Sequence, residues 1–250
     1  RVLQLEMSLL PVFIKMESMG FFLDNAMAAT LYKQSLDKEN QLTWAFCNAV
    51  GSAVLKVRSD KEVKKWIDEH YPDAHHIDPD GTTHYFRDQM KMNKNKQMAP
   101  NIGKEEMEPF VGLGYPVIDI VHAIKVQTNL KNRLEEFLDN AKLHDDRVKT
   151  SYRQIGTETG RTSCPKPNLQ NIPSRGESKL LRKLFIAPQK KKLIVCDYSQ
   201  FQLVICAEIA KDKEMTRIIN TKGDLHYYTA SILLNKDISL VTKDERQKAK

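Results

Sequence analysis

A short apolar run, Leu193 to Cys196, stops at the carboxylate of Asp197. An apolar run of this length is typical of a buried strand. The carboxyl end of such a strand lies at the edge of the core, so an acid at that point has little freedom to move. The sequence therefore predicts a strand that holds Asp197 where a metal-binding aspartate belongs.

A second informative segment lies earlier in the chain, from Thr157 to Pro173. Its glycines, prolines and asparagines disfavour regular structure. It contains Thr-Gly-Arg, ending at Arg161, and then Pro-Asn-Leu-Gln-Asn-Ile-Pro, starting at Pro167. We expect an irregular loop whose polar side chains can reach a ligand.

The basic charge of the chain is concentrated around these two segments. The whole chain carries a formal net charge of +7. Residues 153–192 contain ten basic side chains and two acidic ones, so the remainder is close to neutral. Lys and Arg contacts with phosphates supply the sequence-independent part of duplex binding. The stretch favours a polyanionic partner, although a solvated basic surface has the same composition.

The order of these segments resembles one known family. The sequence TGRTS is followed by PNLQNIP, FIAP at 185–188 and DYSQ at 197–200, as in the polymerase domain of the family A DNA polymerases, the bacterial repair polymerase group. Residues 6–24 resemble the helix that opens this domain, and residues 246–250 resemble the start of the fingers helix. Residues 34–142 match only weakly.

The resemblance implies an α+β fold, with the helical thumb, part of the palm sheet and the opening finger helices of a right-hand polymerase. We expect the thumb in residues 1–146, the partial palm in 147–212 and the start of the fingers in 213–250. Periodicity and capping residues independently predict helices, over residues 3–19, 25–38, 61–70, 105–111 and 116–141. Residues 148, 150 and 152 alternate with the more polar residues 149, 151 and 153, which predicts a half-buried strand over residues 148–153.

The resemblance also implies a two-Mg²⁺ mechanism with Asp197 as a catalytic residue. Its carboxylate and the main-chain oxygen of Tyr198 are the kind of ligands that Mg²⁺ prefers. A structural alternative is that Asp197 caps a helix over residues 199–211. We expect the second catalytic aspartate of the family after Lys250, and we reject the acidic segment 143–146 as its substitute. Residues 1–250 alone should therefore bind primed DNA and extend it negligibly.

Further site residues follow from the same resemblance. Those expected at the incoming nucleotide are Gln202, His226, Arg246 and Lys250. Those expected at the primer-template DNA are Arg161, Asn168, Gln170, Arg175 and Arg182. The structural alternatives are amides that only bond within their loop, a structural histidine, and a charged run over 243–250 that covers a solvated helix.

The chain departs from the family pattern at two of its positions. Gln202 stands where the family has a glutamate that blocks the 2′-hydroxyl of a ribonucleotide. Glutamine has almost the same volume but carries no charge, so the steric part of sugar selection could survive without the charged hydrogen bonding. Val204 replaces an arginine, which puts a local ion pair in doubt.

The implied function is template-directed DNA polymerisation in replication or repair, with primer-template DNA, deoxynucleoside triphosphates and Mg²⁺ as partners. A non-catalytic primer-template binding module, or a degenerate polymerase copy, is the alternative, since the basic stretch and Arg161 support it equally well. A nuclease is disfavoured because no acidic cluster has exonuclease spacing.

Other features of the sequence concern the setting of the protein. Four cysteines without metal-finger spacing indicate a reduced, intracellular protein, whether in the bacterial cytoplasm, a phage-infected cell or an organelle. No apolar stretch approaches the roughly 18 residues of a membrane span. Because the chain begins with Arg1, we expect it to be part of a longer polymerase that continues after Lys250.

Overall fold

The computed structural model describes residues 2–52, 55–92, 98–174 and 176–249. The chain divides into two compact units, Arg1–Lys192 and Leu193–Lys250. The predicted three-part division into thumb, palm and fingers stays a prediction. No helix within the described ranges is both long enough and apolar enough to cross a membrane.

Two long helices form the frame of the first unit. α2 (Asn25–Val50) packs along α5 (Pro116–Lys142). The other helices of this unit are α1 (Val2–Met19), α3 (Asp60–His70) and α4 (Lys104–Met107), with 3₁₀ segments at Phe86–Asp88, Glu108–Phe110 and Glu177–Leu184. All five predicted helices of this half are therefore confirmed, and that over 105–111 is divided between α4 and a 3₁₀ turn.

Local sequence explains where these helices begin and end. The Asp24 side chain accepts from the Met27 N–H and caps α2, and the Ser59 side chain caps α3 by accepting from Glu62. α2 runs past the predicted end at Lys38, because no glycine or proline interrupts it before Gly51. Gly51 has φ 66°, a left-handed conformation that commonly ends a helix.

A small antiparallel sheet lies in the same unit. β1 (Phe21–Leu23) is its central strand, between β6 (Arg147–Val148) and β7 (Phe185–Ile186). Two hairpins precede β6, one of β2 (His75–Ile77) and β3 (Thr83–Tyr85), the other of β4 (Met90–Met92) and β5 (Met98–Pro100). The predicted strand over 148–153 is only partly right. It leaves the sheet after Val148, and Arg153 instead bridges Ser163.

The core of the first unit consists of two clusters of buried side chains. One surrounds Phe46, Phe86 and Phe110. The other joins β1, α5, β6 and the 3₁₀ segment Glu177–Leu184. Because this second cluster anchors both flanks of residues 149–176, it positions the loop that carries the Thr-Gly-Arg and Pro-Asn-Leu-Gln-Asn-Ile-Pro sequences.

The second unit consists of short helices. They are α6 (Phe201–Ala210), α7 (Lys213–Asn220), α8 (Leu225–Leu233) and α9 (Lys243–Lys248), with a 3₁₀ turn at Ile238–Leu240. Asp212 caps α7, Asp224 caps α8 and Thr242 caps α9. Among the described residues of this unit, few hydrophobic side chains are buried, namely Ala207, Ile218, Leu225, Ala230 and Val241.

The predicted buried strand before Asp197 is wrong. Residues 193–196 have no regular secondary structure, and Ile194 and Val195 are 87% and 91% exposed. A strand needs a neighbour that satisfies its backbone N–H and C=O groups, and no strand among the described residues pairs with this run. Hydrophobicity alone therefore did not decide its conformation. The α+β class itself is confirmed by the helices and small sheets.

Candidate functional site

In the second unit, one cavity brings together most of the residues predicted to act on a nucleotide. We name it the aspartate cavity; its volume is about 580 Å³. Its lining includes Asp197, Tyr198, Gln202, His226 and Arg246. The helix α6 contributes Gln202, while α8 and α9 contribute the histidine and the arginine. Lys250, which was predicted to join them, lies outside the described residues.

Asp197 presents its carboxylate to solvent. Within the described ranges, no donor lies within hydrogen-bond distance of it. α6 begins at Phe201, and its N-cap residue is Gln200, which makes no side-chain capping bond. The alternative that Asp197 caps this helix is therefore wrong. The carboxylate is free to bind a ligand.

The oxygen donors near Asp197 suit part of a magnesium site. A carboxylate and a main-chain carbonyl are typical Mg²⁺ ligands, and Mg²⁺ commonly keeps several waters. The described residues contain no cluster of three or more histidine, cysteine or acidic side chains arranged to hold a metal. The donors present fit one hydrated ion, held by Asp197 and the Tyr198 carbonyl, and they do not fit a pair of ions.

Gln200 attaches the Asp197 segment to the start of α8. Its backbone is left-handed, with φ 52°. Its side-chain Oε1 accepts from the Leu225 N–H at 2.8 Å, and its Nε2 donates to the Gly223 carbonyl at 3.5 Å. These bonds hold Asp197 and His226 on one scaffold. This role could not be predicted from sequence, because no local pattern links residues so far apart in the chain.

Asp224 connects α8 with α9. Its Oδ1 accepts from the backbone N–H groups of His226 at 2.8 Å and Tyr227 at 3.3 Å. Its Oδ2 accepts from Nε and Nη2 of Arg246 at 2.9 and 2.6 Å. Burial acts to raise the pKa of Asp224, but the hydrogen bonds from Arg246 and from these backbone groups outweigh it, so the pKa lies below its usual value.

In the first unit, a second cavity holds the residues predicted to contact DNA. We name it the TGR cavity; its volume is about 610 Å³, and Arg161, Asn168 and Gln170 are among its lining residues. A tight turn shapes its rim. The Thr157 hydroxyl accepts from the Arg161 N–H at 2.9 Å, and Gly160 takes the left-handed conformation with φ 72°. The Arg161 side chain is exposed as a result.

The two predicted amides also shape the loop. Asn168 Oδ1 accepts from the Asn171 N–H at 3.1 Å, and Gln170 Nε2 donates to the Thr162 hydroxyl at 2.8 Å. The structural role considered for these side chains is therefore real. Asn168 Nδ2 and Gln170 Oε1 have no partner among the described residues, so each amide keeps one group for a ligand.

Arg182 has a structural task. It donates to the carbonyls of Ile172 at 2.9 Å and Pro173 at 3.1 Å, which fastens the end of the loop to the 3₁₀ segment. The family resemblance predicts a DNA contact for Arg182 and does not predict these bonds. Its guanidinium is exposed and carries five N–H donors, so a DNA contact by Arg182 stays a prediction. Arg175 lies outside the described residues.

Comparison with known proteins defines the class of fold and the family. The chain has the fold of part of a polymerase domain, since it matches the POL domain of Pol1 from M. smegmatis, solved in complex with DNA primer-template and dNTP, with a TM-score of 0.73. That match has 23% sequence identity and covers 95% of this chain and 39% of the other. The family follows from sequence. Residues 53–250 match the profile of DNA polymerase family A, and the chain belongs to this family.

Curated relatives agree with this assignment. DNA polymerase I of Treponema pallidum is 29% identical over 98% of this chain, which corresponds to 23% of that protein. DNA polymerase I of Aquifex aeolicus is 30% identical over 76% of this chain and 32% of its own length. The chain thus spans a quarter to a third of these relatives. The resemblance drawn from the ordered sequence motifs is confirmed.

Proposed function

We propose that this chain is part of a template-directed DNA polymerase, which adds deoxynucleoside monophosphates to a primer 3′ end. The observation that carries the proposal is the aspartate cavity. Asp197, Gln202, His226 and Arg246 come from separate segments and line one space. A carboxylate beside cationic and polar groups suits a metal-bound triphosphate.

Each residue of the aspartate cavity has a role in this proposal. Arg246 and His226 bind the triphosphate and neutralise charge that develops on the leaving pyrophosphate. Gln202 contacts the sugar edge of the nucleotide. Asp197 and the Tyr198 carbonyl would hold one Mg²⁺ ion, which when bound would lower the pKa of the attacking hydroxyl and screen the phosphates.

The TGR cavity would bind the primer-template. Arg161, with the free groups of Asn168 and Gln170, supplies donors and an acceptor for the minor-groove edge of a base pair. Acceptors in that groove occur in every pair orientation, so such contacts test pair geometry without reading sequence. The basic side chains of residues 153–192 add contacts with phosphates.

A non-catalytic primer-template binding module is the second candidate. One observation favours it: among the described residues, Asp197 is the single carboxylate that lines the aspartate cavity. A protein without a second metal-binding carboxylate would still bind DNA through Arg161 and the basic stretch.

The deciding experiment uses Asp197→Asn in the full-length natural protein. We expect primer extension to be abolished while the Kd for primer-template stays within about twofold, because metal ligation acts mainly in the transition state. Asp212→Asn, which replaces an exposed helix cap outside the cavity, is the matched control and should extend normally. An active Asp197→Asn enzyme would overturn the catalytic assignment. A wild-type protein that binds primed DNA and never extends it would favour the binding module.

The role of Gln202 is tested in the same protein. If Gln202 faces the sugar, Gln202→Glu should strengthen the rejection of ribonucleotides, because a charged carboxylate adds stronger hydrogen bonding at the same volume. The ratio of kcat/KM for deoxy- and ribonucleotides measures this. An unchanged ratio would remove Gln202 from the sugar site.

A further inference from the structure

We propose that Asp224 is the positioning residue of the nucleotide phosphate site, acting through His226 and Arg246. The inference rests on the proposed function of the aspartate cavity and assigns a residue that does not line it. One carboxylate reaches both predicted phosphate ligands, and each of its oxygens serves a different one.

The two oxygens of Asp224 divide this work. Oδ1 accepts from the His226 N–H at 2.8 Å, which holds the first turn of α8, from which the histidine side chain projects. Oδ2 accepts from Nε and Nη2 of Arg246 at 2.9 and 2.6 Å. The arginine also lies against the Tyr227 ring, with Cζ 5.4 Å from its centroid. Asp224 thereby connects α8 with α9 through hydrogen bonds.

The arrangement leaves part of Arg246 available. An arginine has five N–H donors, and Asp224 engages only the Nε and Nη2 edge. No acceptor within the described ranges engages Nη1. The side chain is 26% exposed and belongs to the lining of the cavity. A phosphate can therefore bind Arg246 without displacing Asp224.

Two opposing effects decide whether Asp224 strengthens or weakens nucleotide binding. The negative charge of Asp224 offsets the attraction between Arg246 and an anion. That charge is already shared with two backbone N–H groups at the start of α8 and with the guanidinium itself. Holding a long side chain in place before binding removes part of the ordering cost that binding would otherwise incur. With the charge compensated, the gain from ordering dominates, and Asp224 should favour nucleotide binding.

The test compares Asp224→Asn with wild type in the full-length natural protein, during single-nucleotide extension on saturating primer-template. Asparagine caps helices as well as aspartate, so this substitution removes the ion pair and retains the start of α8. We expect the KM for the deoxynucleoside triphosphate to rise about tenfold and kcat to fall by a smaller factor, because Arg246 and His226 contact the triphosphate in the ground state as well as in the transition state. Asp224→Ala also removes the cap and should raise KM further.

Asp212 offers a matched control, because its side chain caps α7 at the Met215 N–H, 2.8 Å away, in the same unit. Asp212→Asn and Asp212→Ala should leave the KM unchanged, whatever they do to thermal stability. A KM increase in these variants equal to that of Asp224→Asn would reduce Asp224 to a structural role and overturn the proposal.

A double-mutant cycle with Arg246→Ala shows whether Asp224 acts through the arginine. We expect the KM of the double variant to equal that of Arg246→Ala alone, since residues that act as one unit are not additive. Additive effects of the two substitutions would overturn the positioning role of Asp224 and leave the proposed function of the cavity intact. So would a KM that is unchanged or lower in Asp224→Asn while Arg246→Ala raises it. If Arg246→Ala also leaves the KM unchanged, the phosphate site is absent, and the proposed function of the cavity fails together with this inference.

Discussion

The two units of the chain are stabilised in different ways. In the first unit, large side chains such as Phe46, Phe110 and Phe137 are almost completely buried. In the second unit, the described core consists of a few small or medium side chains, and three of the four α-helices start at an oxygen-bearing cap. Both units carry a cavity with predicted site residues. The first unit shapes its cavity by anchoring the flanks of a loop in a hydrophobic cluster, and the second by polar bonds between short helices.

This difference has a consequence for stability. Burial of a large apolar side chain contributes about 1.5–3 kcal/mol, whereas a helix cap contributes about 1 kcal/mol. The first unit should therefore resist unfolding more than the second. Both tryptophans, Trp44 and Trp66, lie in the first unit, so tryptophan fluorescence reports on that unit and hydrogen exchange is needed for the other.

The largest effect should come from truncating the core of the first unit. Phe137 is 1% exposed and packs against Phe185 with ring centroids 5.4 Å apart. Phe137→Ala should lower the free energy of unfolding by about 3–5 kcal/mol, through lost burial and the cavity left behind. Urea unfolding followed by tryptophan fluorescence measures this. Phe21→Ala, at a position 42% exposed, is the matched control, and an equal loss there would contradict the assignment of the core.

A buried ion pair between α2 and α5 should have the next largest effect. Glu39 is 3% exposed and accepts from Lys131 and from the Thr128 hydroxyl. Glu39→Gln leaves the charge of Lys131 without its partner and should cost about 3 kcal/mol. Glu135→Gln, on the exposed face of α5, is the control and should change little.

The same pair should make stability depend on pH. Burial acts to raise the pKa of Glu39, but hydrogen bonds from Lys131 and Thr128 outweigh it, so the pKa lies below its usual value of 4.5. A depressed pKa means that the contribution is complete above 4.5 and is lost as the pH falls through the lower folded-state value. The wild-type free energy of unfolding should therefore decline below that usual pKa more steeply than that of Glu39→Gln. If the free energies of unfolding of wild type and Glu39→Gln fell in parallel with pH, protonation of Glu39 would not contribute to the pH dependence of stability.

A smaller effect is expected from the capping box of α9. The Thr242 hydroxyl accepts from the Glu245 N–H at 3.2 Å, and Glu245 accepts from the Thr242 N–H at 2.7 Å. Thr242→Ala should destabilise this helix by about 1 kcal/mol. Amide hydrogen exchange over residues 245–249 should accelerate, while exchange in α5 stays unchanged. Thr242→Ser keeps the hydroxyl and should restore protection; faster exchange in α5 would mean that the two units unfold together.

The smallest effect on stability per substituted residue should come from the exposed lysines at 190–192. Replacing all three by glutamine should change the free energy of unfolding by less than about 0.5 kcal/mol per residue. If they bind phosphates, the slope of log affinity for primed DNA against log salt should become shallower by about 0.9 for each phosphate that is no longer neutralised. Lys61→Gln with Lys65→Gln, on exposed positions of α3, is the control and should leave the slope unchanged. An unchanged slope in the triple variant would make the lysine cluster an ordinary surface.

The helices of the first unit and several of the residues that line the two cavities could be predicted from sequence. The caps at Ser59 and Asp24 each involve a neighbour three residues away, so local pattern is enough to find them. The contacts of Gln200 with Gly223 and Leu225, and of Asp224 with Arg246, could not be predicted in this way. They join residues more than twenty positions apart, and no periodicity of the chain records such a distance.

The sequence by itself determined the family, the helices and the residue types gathered at each site, because ordered motifs, caps and periodicity are properties of the chain read locally. Tertiary structure decided which side chains are free and which are engaged. In the folded chain Arg182 donates to two loop carbonyls, and Asp197 does not cap α6. Residues 193–196 are exposed, although a buried strand was predicted there. The physical reason is the same in each case. A hydrogen-bonding group or a strand edge is satisfied by whichever partner the fold brings near, and that partner is chosen in space, by elements distant in the chain.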